Sequence, residues 1–299
     1  MKRVFLLLLL LISFSLYSQN VDLFIWAGQS NALGRQGDAA EYPEDTNNLD
    51  NQIQFNWTVA NGSNSAGWTT MQAQTGYFPD GHFGPEVTFS RKLVEAGYNP
   101  AIFKFTQGAT SIFQHWQGPG DGGLYDAMTT NLNTAITALE NQGLTVTVKG
   151  FIWIQGESDS NSPAAATAYF NNLTTIINDF RGAVIDDVNL PILLGVDEQF
   201  FNLVDHEQHE QHEILNAHQD IALNDSTIKF TSMYGYPKAD DTHLTPTGLI
   251  NHGEDLFNSF QLLVSGEYPS ANCVLSSVGN HDSFERRSWD NHLLQIVQV

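Results

Sequence analysis

Val21-Asp22-Leu23-Phe24-Ile25-Trp26-Ala27 runs straight into Gly28-Gln29-Ser30-Asn31, and the fold turns on how that junction is read. A short apolar run rich in β-branched and aromatic residues, stopped by a glycine and polar side chains, describes a buried strand ending in a tight turn. Residues 101–105, 149–154 and 191–196 repeat the pattern. Between them, 86–96, 124–139 and 165–180 carry apolar residues at helical spacing. In the second of these, Leu124, Met128, Leu132, Ala135, Ile136 and Leu139 share one face. Strand and helix in alternation predict an α/β layered fold with a largely parallel sheet. Ligands of such sheets bind outside the carboxyl ends of the strands, where the polar motifs here begin. Residues 38–82, rich in Asn, Gly, Thr and Gln with little periodicity, read as a long excursion over the surface.

The two ends differ from the middle. Lys2 and Arg3, an apolar run over 4–11 and small or polar residues around Ser15, Ser18 and Gln19 predict a cleaved export signal over 1–19. The run is shorter than the roughly 20 apolar residues of a membrane helix. The reading is of a secreted or periplasmic protein, with one domain over 20–264 and a tail of unassigned role over 265–299. Cys273 is the one cysteine, so no intrachain disulfide forms and stability rests on a buried core. With 12 Lys+Arg against 33 Asp+Glu, the surface repels phosphate backbones and anionic lipid. Neither nucleic acid nor membrane is expected as a partner.

Four polar segments carry the candidate chemistry. A serine at a strand-to-helix turn, as Ser30 is, has an exposed hydroxyl and a backbone N–H able to face a developing oxyanion. A helix N-cap serine would look the same. Far downstream, Asp240-Asp241-Thr242-His243 offers a general base, His243, and a carboxylate to orient it, with Asp240 and Asp241 both in reach. Gln107-Gly108-Ala109-Thr110-Ser111 follows the 101–105 strand and can offer an unobstructed N–H. Gln155-Gly156-Glu157-Ser158-Asp159 follows the 149–154 strand. Together the four segments hold the parts of an acyl-transfer site.

Gly28-Gln29-Ser30-Asn31, Phe83-Gly84-Pro85-Glu86, Gly108-Ala109-Thr110-Ser111 with Trp116, Trp153-Ile154-Gln155-Gly156-Glu157-Ser158-Asp159 and Asp240-Asp241-Thr242-His243 occur in that order. The series resembles the carbohydrate-esterase branch of the SGNH hydrolases, which holds sialate O-acetylesterase-like and acetylxylan esterase-like enzymes. The resemblance implies a flavodoxin-like three-layer α/β/α sandwich. It also implies Ser30 as nucleophile, His243 as base, Asp240 as its partner, and an oxyanion hole using the N–H groups of Ser30 and Gly108. The third donor of the wider superfamily is an asparagine that this chain lacks in the corresponding block. Gln155, whose amide can donate in its place, is the candidate, with Ser158 behind it. Asn31 and Glu157 are supporting residues, and Trp116 is the candidate to line the substrate cleft, followed by Trp57 and Trp68.

The expected reaction is hydrolysis of an acetyl ester on an oligo- or polysaccharide, with no cofactor and no metal. A lipase or thioesterase, or a non-catalytic carbohydrate-binding protein, are the alternatives. The histidine-rich stretch around His206, His209 and His212 lacks the four-residue histidine spacing of a zinc-protease helix and reads as a solvated helix face.

Overall fold

In the computed structural model, residues 19–199 and 209–266 are described. The expected export signal, most of the tail and part of the histidine-rich stretch lie outside them.

The chain opens with β1 (Asn20–Gly28) and a single helical turn, α1 (Ser30–Leu33). Next come β2 (Gln54–Val59), β3 (Thr69–Thr70), β4 (Gln74–Gly76) and β5 (Phe78–His82). Then follow α2 (Glu86–Glu95), β6 (Pro100–Thr106), α3 (Leu124–Glu140) and β7 (Thr145–Ile154). The domain closes with α4 (Pro163–Asp179), β8 (Ile192–Gly195), α5 (His209–Asn224), β9 (Ile228–Phe230) and α6 (Pro246–Ser265).

The main sheet runs β3-β2-β6-β1-β7-β8-β9 and is parallel except for the β2–β3 pair; β4 and β5 form a separate hairpin. Taken without β2 and β3, the order β6-β1-β7-β8-β9 is the flavodoxin-like 2-1-3-4-5, with its switch point between β1 and β7. β2 corrects the reading of 38–82 as a surface excursion. Phe55, Trp57 and Val59 alternate with half-buried Asn56 and Thr58, and the strand extends the sheet in register with β6.

β1 is buried on both faces, as a central parallel strand must be. Val21, Leu23, Ile25 and Ala27 pack with the apolar faces of α3, α4 and α5. Phe24 and Trp26 pack with α2 and α6 on the other side. Phe24 meets Phe89 and Phe260 edge-on, at ring separations of 5.4 and 5.1 Å. Such pairs add about 0.5–1.5 kcal/mol each beyond area burial. The result is the three-layer α/β/α sandwich that the resemblance implied.

Two devices aim the sheet's carboxyl ends. Gly28 has φ of +143°, and a Cβ there would fall 2.0 Å from the Ile154 carbonyl oxygen, so only glycine lets β1 turn beside β7. At the far end of the domain, Thr245 caps α6 by accepting from Gly248 N–H, and Pro246 takes the first helical position. That cap ends the loop carrying His243.

Candidate functional site

Ser30 opens α1 immediately after β1 and is 4% exposed. The backbone N–H groups of Ser30 and Gly108 make no hydrogen bond within the described residues, and a Cβ on Gly108 would stand 3.8 Å from Ser30 Cβ. Two unbonded backbone donors thus lie close to the serine.

His243 reaches the same end of the sheet from the loop before α6. Its Nδ1 lies 2.8 Å from Asp240 Oδ2 and 3.0 Å from Oδ1. Asp240 Oδ1 also accepts from the backbone N–H groups of Thr242 and His243, and Gln36 Nε2 donates to Oδ2. Burial pulls the Asp240 carboxyl upward, but the bonds from the His243 ring and from these N–H groups outweigh it and hold it well below the usual carboxylate range. Asp240, not Asp241, therefore faces the imidazole; Asp241 offers its carbonyl to Lys238 Nζ. Among the described residues, Ser30 Oγ and His243 are not hydrogen-bonded to each other.

The Gln155–Asp159 block behaves differently from the expectation. Gln155 Nε2 donates to the Thr110 carbonyl at 2.9 Å and to Asp159 Oδ2 at 2.6 Å, with Gln29 Oε1 a further 3.2 Å neighbour. An amide nitrogen has two hydrogens, and both are spent on these buried acceptors, so Gln155 is not a free oxyanion donor. It is a brace. Asp159 in turn accepts from Ile112 and Phe113 N–H, tying the loop after Gly108 to the floor of the site. Ser158 uses its backbone N–H on Gln29 Oε1.

The tryptophans are also corrected. Trp116 is fully buried between Phe105 and Trp153, and its indole donates to Thr110 Oγ1, so it lines the core and not a cleft. Trp57 is buried on β2, and Trp68 packs on α3 with its indole on the Ala135 carbonyl. Phe113, by contrast, is exposed on the turn held by Asp159.

Sequence reasoning quoted Glu86 in a motif but missed its pairing with Lys104. They form a fully buried ion pair at 2.8 Å, with Lys104 also donating to the Leu33 carbonyl and Glu86 accepting from Gly84 N–H. The pair anchors α1, and so the serine, to the Phe83-Gly84-Pro85-Glu86 turn. Lys104 was itself the signal: a lysine inside a buried strand needs a carboxylate. Among the described residues no group of three His, Cys, Asp or Glu side chains could hold a metal, and no helix is long and apolar enough to cross a membrane.

The flavodoxin-like sheet is that of the SGNH hydrolase fold, and the protein is a carboxylic ester hydrolase. The chain belongs to the carbohydrate esterase family of sialic acid-specific acetylesterases, whose model matches residues 20–261. Its fold is similar to that of a protein from Arabidopsis thaliana, at 20% identity and a TM-score of 0.60 over 82% of this chain and 98% of that one. It is likewise similar to NanS, at 14% identity and a TM-score of 0.59 over 84% and 99% of the two chains. A carbohydrate acetylesterase from Xanthomonas citri matches at 19% identity and a TM-score of 0.55, over 82% of this chain but 57% of its own. No curated protein sequence matches.

Proposed function

We propose that the protein is an exported serine esterase that releases acetate from acetylated carbohydrate. One observation supports the reading above the others: His243 is paired with Asp240 on a loop that Asn31, the neighbour of Ser30, hydrogen-bonds on both sides of the histidine.

Ser30 Oγ attacks the acetyl carbonyl carbon while its proton passes to His243 Nε2. Asp240 fixes the ring through Nδ1 and stabilises the imidazolium. The N–H groups of Ser30 and Gly108 receive the oxyanion. Collapse expels the sugar hydroxyl, which takes the proton from His243, and water then cleaves the acetyl-enzyme by the same path reversed. Export is supported by the charged start and apolar run of the first residues of the sequence, and the carbohydrate substrate by the family and by the likeness to the acetylesterase of Xanthomonas citri.

Acetate release across a panel of acetylated glycans, with p-nitrophenyl acetate set against long-chain nitrophenyl esters, tests the reading. Turnover should vanish in a folded Ser30→Ala variant and survive exhaustive chelation. Preference for long acyl chains, or near-normal activity without Ser30, would overturn it.

A further inference from the structure

Asn31 is buried one residue beyond Ser30, and its side chain reaches across 213 residues of sequence to the histidine loop. Its Oδ1 accepts from Leu244 N–H at 3.1 Å, and its Nδ2 donates to the Thr242 carbonyl at 3.0 Å. The two bonds grip the backbone on either side of His243. Behind the amide stands Glu157, whose Oε1 lies 3.4 Å from Asn31 Nδ2 and accepts from Asp197 N–H at 3.1 Å. Glu157 is itself buried, so it ties the loops after β7 and β8 to the buried amide that grips the histidine loop.

We propose that Asn31 is the positioning residue that sets the approach of the His243 imidazole to the Ser30 hydroxyl, with Glu157 as its buried anchor. The inference rests on the roles given above to Ser30 and His243. The only other side-chain hydrogen bond from the α1 segment to the His243 loop, among the described residues, is Gln36 to Asp240, at 3.3 Å and exposed. An exposed single bond holds direction poorly, whereas a buried amide bonded at both its oxygen and its nitrogen fixes two backbone groups at once. The serine and the histidine therefore move as one unit, because adjacent residues on one side and flanking residues on the other share a single side chain. Aspartate keeps the acceptor for Leu244 but loses the donor for Thr242.

Full-length Asn31→Asp, Glu157→Gln, Glu157→Ala and Ser30→Ala are compared with the native protein for kcat and KM on p-nitrophenyl acetate and for melting temperature. The rate of covalent labelling by a fluorophosphonate is measured beside them. In that reaction the Ser30 Oγ–P bond forms, fluoride leaves and His243 takes the proton. Asn31→Asp is expected to lower kcat by roughly 10²-fold, the scale of an ångström-sized misplacement, with KM little changed. Labelling should slow in parallel. Glu157→Gln, which keeps the acceptor, should recover most of what Glu157→Ala loses. A folded Asn31→Asp with native kcat and native labelling, beside a dead Ser30→Ala, overturns this inference alone. If Asn31→Asp does not fold, native turnover in both Glu157 variants overturns it. Turnover retained in Ser30→Ala removes the reading of the site and this inference with it.

Discussion

Asp240 presents both carboxylate oxygens to the His243 ring, at 3.0 and 2.8 Å from Nδ1, while the same carboxylate collects the backbone N–H groups of residues 242 and 243. The ring is thus held in the tautomer that leaves Nε2 free to accept a proton. Asp240→Asn should lower kcat by up to about 10⁴-fold, the loss seen when such a carboxylate becomes an amide. Asp241→Asn should leave kcat close to native. Steady-state kinetics of the two variants side by side decide it, and the reverse ranking would exchange the roles.

The two glycines flanking the serine should fail in different ways. Gly108 has no clash nearer than the 3.8 Å contact with Ser30 Cβ, so Gly108→Ala should fold normally. Its methyl group would nonetheless crowd the acetyl carbonyl beside the nucleophile. A loss in kcat/KM of about 10²-fold is expected, the scale of an ångström-sized misplacement of the reacting carbonyl. Gly28→Ala should instead lower the melting temperature sharply, because its Cβ would overlap the Ile154 carbonyl. A Gly108→Ala enzyme with native kcat/KM would show that the acetyl group does not pass close to the Gly108 Cα.

The parts of this architecture that the sequence made legible are those with local signatures. β1 is an unbroken apolar run because both of its faces are covered, and the turn after it needs Gly28. β2 was hidden because only Phe55, Trp57 and Val59 face the core while their neighbours are half-exposed, leaving a short alternation inside a polar stretch. Gln155 shows a different limit. Its residue type announces a donor, but only three-dimensional neighbours reveal that Thr110 and Asp159 have used both hydrogens. Asn31 stood next to the serine in plain view. Its partners at Thr242 and Leu244 are far away in sequence, and no spacing rule reaches them.

The Lys104–Glu86 pair makes a prediction about stability with consequences for the site. Lys104→Met fills the space but leaves Glu86 charged and buried against Gly84 and Gln74. Breaking one side of a buried pair costs about 3–5 kcal/mol, so thermal or urea unfolding should show a large loss. Lys104→Met with Glu86→Gln, which removes the stranded charge, should recover part of it. If the single variant melts with the native protein, the pair contributes nothing to the fold.

Buried histidines should make the protein acid-sensitive well above the range where carboxylates titrate. Burial depresses His252 to about 3, with neither ring nitrogen bonded among the described residues. Burial likewise depresses His218 to about 4, against the pull of its bond to the Gln155 carbonyl. Both titrate near 6.5 when unfolded. As pH falls below about 6.5 the unfolded chain takes up protons that the folded one refuses, so stability is full above that pH and declines toward 4 and then 3. Glu157 opposes this. Burial raises it to about 7, so the folded state holds its proton between the unfolded value of 4.5 and 7, a contribution lost as pH rises through 7. With His82, which burial also depresses to about 4, three histidines oppose Glu157 and leave a net fall in melting temperature from pH 6.5 toward 5. His252→Leu, similar in volume and without a proton to refuse, should flatten that fall and leave stability at pH 7.5 equal or higher. An acid slope identical to the native one would show that His252 protonates freely in the folded protein.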